Sequence, residues 1–135
     1  MYLRMEIDRL VLDLDMASTS PATARKAVRE YSSRHELDGL TLDAALLVAT
    51  ELVTNAVRHG DAPITMCLQL LGDGALRVEV CDGGAVLEPV AGVRSGALAT
   101  TGRGLALVSE YARDWRVEDR PHGKSVAADI AGPAI

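Results

Sequence analysis

The sequence predicts an α+β fold, a two-layer α/β sandwich whose mixed, mostly antiparallel sheet carries its helices on one face. Three observations lead there. Two β-rich runs in PITMCLQLLGDGALRVEVCD flank Gly72-Asp73-Gly74, and Asp-Gly favours the tight turns that join hairpin strands. A second pair, WRVED and SVAADI, closes around Pro121-His122-Gly123. The region ahead of both pairs, residues 20–59, has helical rather than alternating periodicity. Hairpin-joined strands pair antiparallel, and helices grouped apart from them cover one sheet face.

The elements follow in order. LVLDLD, residues 10–15, alternates apolar and acidic side chains and reads as a half-exposed strand. The preceding YLRMEI alternates on the opposite parity, so either a bulge or a separate short strand is expected near Asp8. Ser20 is the expected N-cap of the first helix, with Pro21 at its first position, where a missing N–H costs nothing. Ala24, Ala27, Val28 and Tyr31 give that helix its apolar stripe. Asp38-Gly39 breaks the chain. Thr41 is expected to cap a second helix running to about His59, with Gly60 as its left-handed stop. The hairpin comes next. Beyond Asp82, GGAVLEPVAGVRSGALATTGRG is poorly periodic, rich in Gly and Ala, and expected to be mobile. GLALVSEYARD resumes a helical pattern through Leu105, Val108 and Ala112 before the closing strands. The predicted order is β-α-α-β-β-(loop)-α-β-β.

With 135 residues, 48% of them hydrophobic, the chain reads as one domain, 1–135, with its own core. Phe is absent and aromatics make up 3%, so aliphatic and Ala packing must build that core. A net charge of −5, with no basic run interleaved with aromatics, excludes nucleic acid as the main partner. The opening MYLRMEIDRLVLDLD is broken by charges, so no targeting signal is expected. Nor does any apolar stretch read as long enough to span a bilayer. Cys67 and Cys81 lie in apolar segments and read as buried free thiols of a reducing cytosol. The three histidines show no metal-ligand spacing.

The chemistry-bearing signal is ELVTNAVRHG, residues 51–60. Glu51, Asn55 and His59 recur at four-residue steps, which stack on one helical face. On a wheel, Thr54, Asn55, Arg58 and His59 fall within about 80° of Glu51. One turn earlier the same arc holds Leu47 and Val48. The helix thus starts apolar all round, as a buried helix does, and opens a polar arc in its last two turns. A solvated helix end explains the spacing equally well. It does not explain the residue types, because Asn and Thr are poor mid-helix residues. His59, at the open end, is expected to pack or cap.

Two glycine-rich signals accompany the stripe. VEVCDGG puts an Asp at a strand end before two glycines. This is turn chemistry on its own. In TTGRGLALVSEY, glycines open a helix whose first N–H groups are unpaired. Arg103 is unfavourable there unless an anion sits at that end, and close backbone approach suits a phosphate. Gly123-Lys124-Ser125 is no P-loop, since position 118 is Glu118 and a strand follows. No GxGxxG is present, so a dinucleotide fold has no support.

These signals, in this order, resemble the Bergerat-fold (GHKL) ATPases, the superfamily of gyrase and the histidine kinases. ELVTNAVRHG is similar to its N-box, CDGG to its G1 box, TGRGLALV to its G2 box and GKSV to its final strand. The resemblance runs from about Leu14 to Ile130. The size and the absence of a phospho-accepting dimerisation helix look most like the small stand-alone branch of anti-sigma factor serine/threonine kinases.

The resemblance implies ATP and Mg2+ as cofactors, with Asn55 as the Mg2+ ligand and Glu51 as the general base. It makes Asp82 the acceptor for the adenine amino group, with Ser125 helping through water and Gly84 letting the base pass. It has Thr101, Gly102, Arg103, Gly104 and Leu105 close on the phosphates and makes residues 85–101 the ATP lid. It implies a cytoplasmic regulator that binds a sigma factor, phosphorylates an antagonist of STAS type on Ser or Thr, and forms a homodimer, with no membrane or nucleic acid involved. Two positions depart from the pattern: Val86 stands for the second G1 glycine, and Ala106 for a third G2 glycine. Val86 favours an alternative, a nucleotide-dependent binding module with little or no transfer activity. An ATPase domain serving a separate histidine acceptor ranks last.

Overall fold

Alternation of side chains along the strands separates two unlike sheet faces. In the computed structural model, which describes residues 3–6, 9–84 and 103–133, the strands are β1 (Leu3–Glu6), β2 (Arg9–Leu14), β3 (Ile64–Leu70), β4 (Leu76–Asp82), β5 (Asp114–Arg120) and β6 (Gly123–Ile130). The helices are α1 (Ser20–His35), α2 (Gly39–His59) and α3 (Arg103–Tyr111). The strands form one sheet in the order β1-β2-β3-β4-β6-β5, and every described neighbour pair is antiparallel. The predicted order is observed with one strand more. β1 and β2 are separate antiparallel strands with Glu6 opposite Arg9, so of the two alternatives the separate short strand is the one observed.

Register lines up one apolar face: Leu10, Leu12 and Leu14 face Leu68, Met66 and Ile64, which continue through Val78, Val80 and Leu76 to Ala128 and Ile130. All are buried, and α1 and α2 cover them. The expected stripe of Ala24, Ala27, Val28 and Tyr31 is buried. The Tyr31 hydroxyl accepts the Leu70 N–H at 3.0 Å and ties α1 to the end of β3. Small residues on both helices, including Ala45 and Ala49 at 0% exposure, let the helices lie close without aromatic filling.

Helix ends differ from expectation at three places. Ser20 is the first residue of α1 and Thr19 its cap; the Ser20 hydroxyl instead donates to the Asp15 carbonyl at 2.5 Å. Asp38, not Thr41, caps α2, its carboxylate accepting the Thr41 N–H at 2.8 Å. Those Thr41 hydrogen bonds hold the Asp38 carboxyl below its ordinary range. Gly60 is extended, at φ −99° and ψ −167°. The left-handed cap belongs to Glu36, at φ 54°, where α1 ends. A second correction concerns α2, whose 21 residues are long and apolar enough to span a membrane by length and composition. In this fold α2 is the core helix, with Val48, Leu52, Val53 and Ala56 buried.

The other sheet face is charged. Cys67 is buried on it and Cys81 half-buried, neither in a disulfide, and burial pushes the Cys81 thiol up to about 11. Arg77 and Asp129 sit opposite one another on β4 and β6 and pair through two bonds of 2.8 and 3.0 Å. The Arg77 guanidinium holds the Asp129 carboxyl below its ordinary value of 3.8. The folded value is therefore the lower one. The pair's stabilisation is present above about 3.8 and is lost as pH falls through the depressed folded value. Replacing Asp129 with Asn should cost about 1–2 kcal/mol near neutral pH, a modest figure because Arg77 is partly solvated. In urea titrations that deficit should shrink as pH falls below about 3.8; a deficit unchanged at pH 3 would refute the assignment.

Candidate functional site

β4 ends on Asp82, whose side chain points to the helix-covered face and is only 4% exposed. A carboxylate so deeply buried needs donors. Oδ1 has two: the Gly84 N–H at 2.7 Å and the Lys124 ammonium at 2.9 Å. Lys124 is the residue directly opposite Asp82 in the β4–β6 register. Oδ2 accepts nothing from any described residue.

Glycines wall this carboxylate. A Cβ at Gly60 would lie 2.5 Å from the Asp82 Cγ, and one at Gly84 would lie 3.0 Å from Oδ1. At Gly123, where φ is +150°, a Cβ would overlap the Asp82 carbonyl oxygen. Gly83 is pressed against the Ala62 carbonyl in the same way, and its N–H donates to Asp61 O at 2.6 Å. Thus Gly60 is needed for closeness to Asp82 and not for a left-handed helix stop.

Since Gly60 is the residue after α2, the polar arc of that helix opens beside the same carboxylate. Val48 is buried at the foot of the arc, Glu51, Thr54 and Asn55 are half-buried above it, and Arg58 and His59 are exposed at the top. Among the described residues, the Asn55 Nδ2 is buried without a hydrogen-bond partner. Glu51 likewise has no polar partner there. An unpaired buried amide is costly, so the Asn55 nitrogen calls for a partner beyond the described residues. His59 does not pack as expected; it and Arg58 lie in the last turn, where positive charge suits the helix dipole.

The family model described as the histidine kinase-like ATPase domain matches residues 16–130. The chain belongs to that family. An uncharacterized protein of Streptomyces coelicolor is 34% identical over 85 residues, which cover 62% of this chain and 81% of that protein. Two solved structures share the fold. One holds the RsbU and RsbW domains of Rv1364c from Mycobacterium tuberculosis, with a TM-score of 0.69 and 24% identity over 90% of this chain. The match spans only 32% of that longer chain. The other is the SiaB-SiaC complex from Pseudomonas aeruginosa, with a TM-score of 0.63, 15% identity and 89% coverage of each chain.

Within the family's frame, the structure brings Asp82 and Gly84 to the end of the sheet where Gly60 follows α2, with Asn55 about one turn and Glu51 about two turns back along that helix. It does not bring Ser125 there. Ser125 pairs with Cys81, one residue along from Asp82, so its side chain points to the opposite, charged face. There its hydroxyl accepts the Arg120 Nε–H at 3.3 Å. Strand alternation is the physical reason. The residue that faces Asp82 is Lys124, and no local signal marks it, because β4 and β6 are far apart in the chain and only their register pairs the two. Thr101, Gly102, Val86 and the expected lid 85–101 lie outside the described residues. Arg103, Gly104 and Leu105 open α3, as the glycine-led helix start requires, but the Arg103 and Leu105 side chains also lie outside the description.

Proposed function

We propose that this chain binds Mg-ATP between the end of α2 and the end of β4 and acts in the cytosol as a regulator of anti-sigma type. In this reading it transfers the γ-phosphoryl group to a Ser or Thr of a small antagonist domain of STAS type and binds a sigma factor. The observation that carries the nucleotide half is the Asp82 carboxylate, nearly buried and glycine-walled, with one oxygen that receives no donor from a described residue. The exocyclic amino group of adenine is the donor that completes it. The fold shared with an RsbW domain and with the SiaB-SiaC complex supports the regulatory half.

Asn55 fits a role toward the phosphates and their cation. Among the described residues its amide has an unpartnered buried end, and the nitrogen and oxygen ends exchange by a simple flip. Its neutral oxygen would hold Mg2+, a hard cation, which when bound neutralises phosphate charge. Glu51 would take the proton from the attacking hydroxyl. As that proton moves to the carboxylate, the serine oxygen bonds to the γ-phosphorus, the bond from phosphorus to the β–γ bridging oxygen breaks, and ADP leaves. The departure at Val86 favours a second reading, a nucleotide-dependent binding module with little or no transfer activity.

Incubation with γ-labelled Mg-ATP, with and without candidate STAS domains, tests the proposal. Label on the added domain supports the kinase. Tight binding without label or ADP supports the binding module. No nucleotide uptake at millimolar ATP overturns both. In calorimetry, Asn55→Ala should abolish the Mg2+ dependence of ATP binding; a dependence that persists removes Asn55 from the cation's ligands.

A further inference from the structure

Lys124 stands where the buried carboxylate meets its unfilled neighbourhood. We propose that it reads the nucleobase directly, its ammonium donating to N1 of adenine while the amino group at C6 donates to Asp82 Oδ2. This rests on the ATP reading above and adds a specificity-determining residue to it.

The hydrogen-bond inventory points this way. Oδ1 of Asp82 is occupied by the Gly84 N–H and by Lys124, whereas Oδ2 receives no donor from a described residue. A lysine ammonium has three N–H groups. Lys124 gives one to Oδ1 and none to any other described residue. Its side chain is 16% exposed, so the remaining donors are largely withdrawn from water. Toward the described residues the pair therefore leaves one acceptor and one donor unfilled. Adenine carries the complement along one edge, a donor at C6 beside an acceptor at N1. Guanine in the same pose reverses both and sets acceptor against Oδ2 and donor against the ammonium.

Stability alone does not account for the pair. A buried ion pair is commonly matched or exceeded in stability by apolar residues of similar volume. Ser125 cannot supply the N1 donor, because it lies on the other face of the sheet.

A double cycle tests the assignment, crossing wild type and Lys124→Met with ATP and 1-deaza-ATP, in which N1 is a C–H. Wild type should bind 1-deaza-ATP about 10- to 150-fold more weakly than ATP, as loss of a charge-assisted hydrogen bond requires. Lys124→Met should lose a similar factor for ATP and no longer distinguish the two nucleotides. Equal wild-type affinity for both overturns the proposal without any variant. So does discrimination that persists in Lys124→Met, or ATP binding by that variant as tight as wild type, which would make the ammonium a plug. Failure of wild type to bind ATP at all would instead sink the nucleotide reading beneath it.

Discussion

Replacing Glu51 with alanine should leave ATP affinity close to wild type and slow phosphoryl transfer to the antagonist serine by about 10²–10⁴-fold, the usual range for losing a general base. Three features set this expectation. The carboxylate is half-buried on α2, one turn from Asn55 and on the same face. No described residue engages it in a hydrogen bond or ion pair, so it is free to accept a proton. The buried residues around it, Val48, Leu52 and Val53, hold the helix whether or not the carboxylate is present. Single-turnover transfer and calorimetry on the same preparation separate the two effects. Wild-type transfer by the variant would remove Glu51 from the chemistry, and loss of binding would make it a ligand-contact residue instead.

Asp82→Asn should weaken ATP by about 5- to 150-fold, the cost of turning one buried acceptor into a donor facing the base. The asparagine substitution is the informative one. Alanine would leave the Lys124 ammonium and the Gly84 N–H without their partner and would open space between Gly60 and Gly84. Asparagine retains an Oδ1 acceptor for both donors, so the glycine cradle keeps its contents. Near-native thermal unfolding with weakened ATP locates the base at Oδ2; unchanged ATP affinity would refute the placement of the adenine.

Much of the architecture was legible because it is written in local periodicity. The stripe Ala24, Ala27, Val28 and Tyr31, the alternation in β2 and the two hairpins each involve residues a few positions apart, whose relative directions follow from helix or strand geometry alone. Caps were legible only in kind. Asp38, Thr41 and Ser20 are all good capping residues, and choosing among them depends on which N–H groups remain unpaired once the helix has its final length. Asp38 wins because its carboxylate reaches the Thr41 N–H, and Ser20 is drawn away to the Asp15 carbonyl.

By itself, the sequence determined the element order, the core stripes, the polar arc of the second helix and the position of Asp82 at a strand end. Each of these follows from neighbours along the chain. Only the tertiary structure decided which side chains share the Asp82 cavity. That depends on the β4–β6 register, which sets Lys124 against Asp82 and turns Ser125 to the opposite face, and on the approach of Gly60 from the end of α2. Residues far apart in the chain meet there because strand parity and helix packing put them there, and no local pattern encodes the meeting.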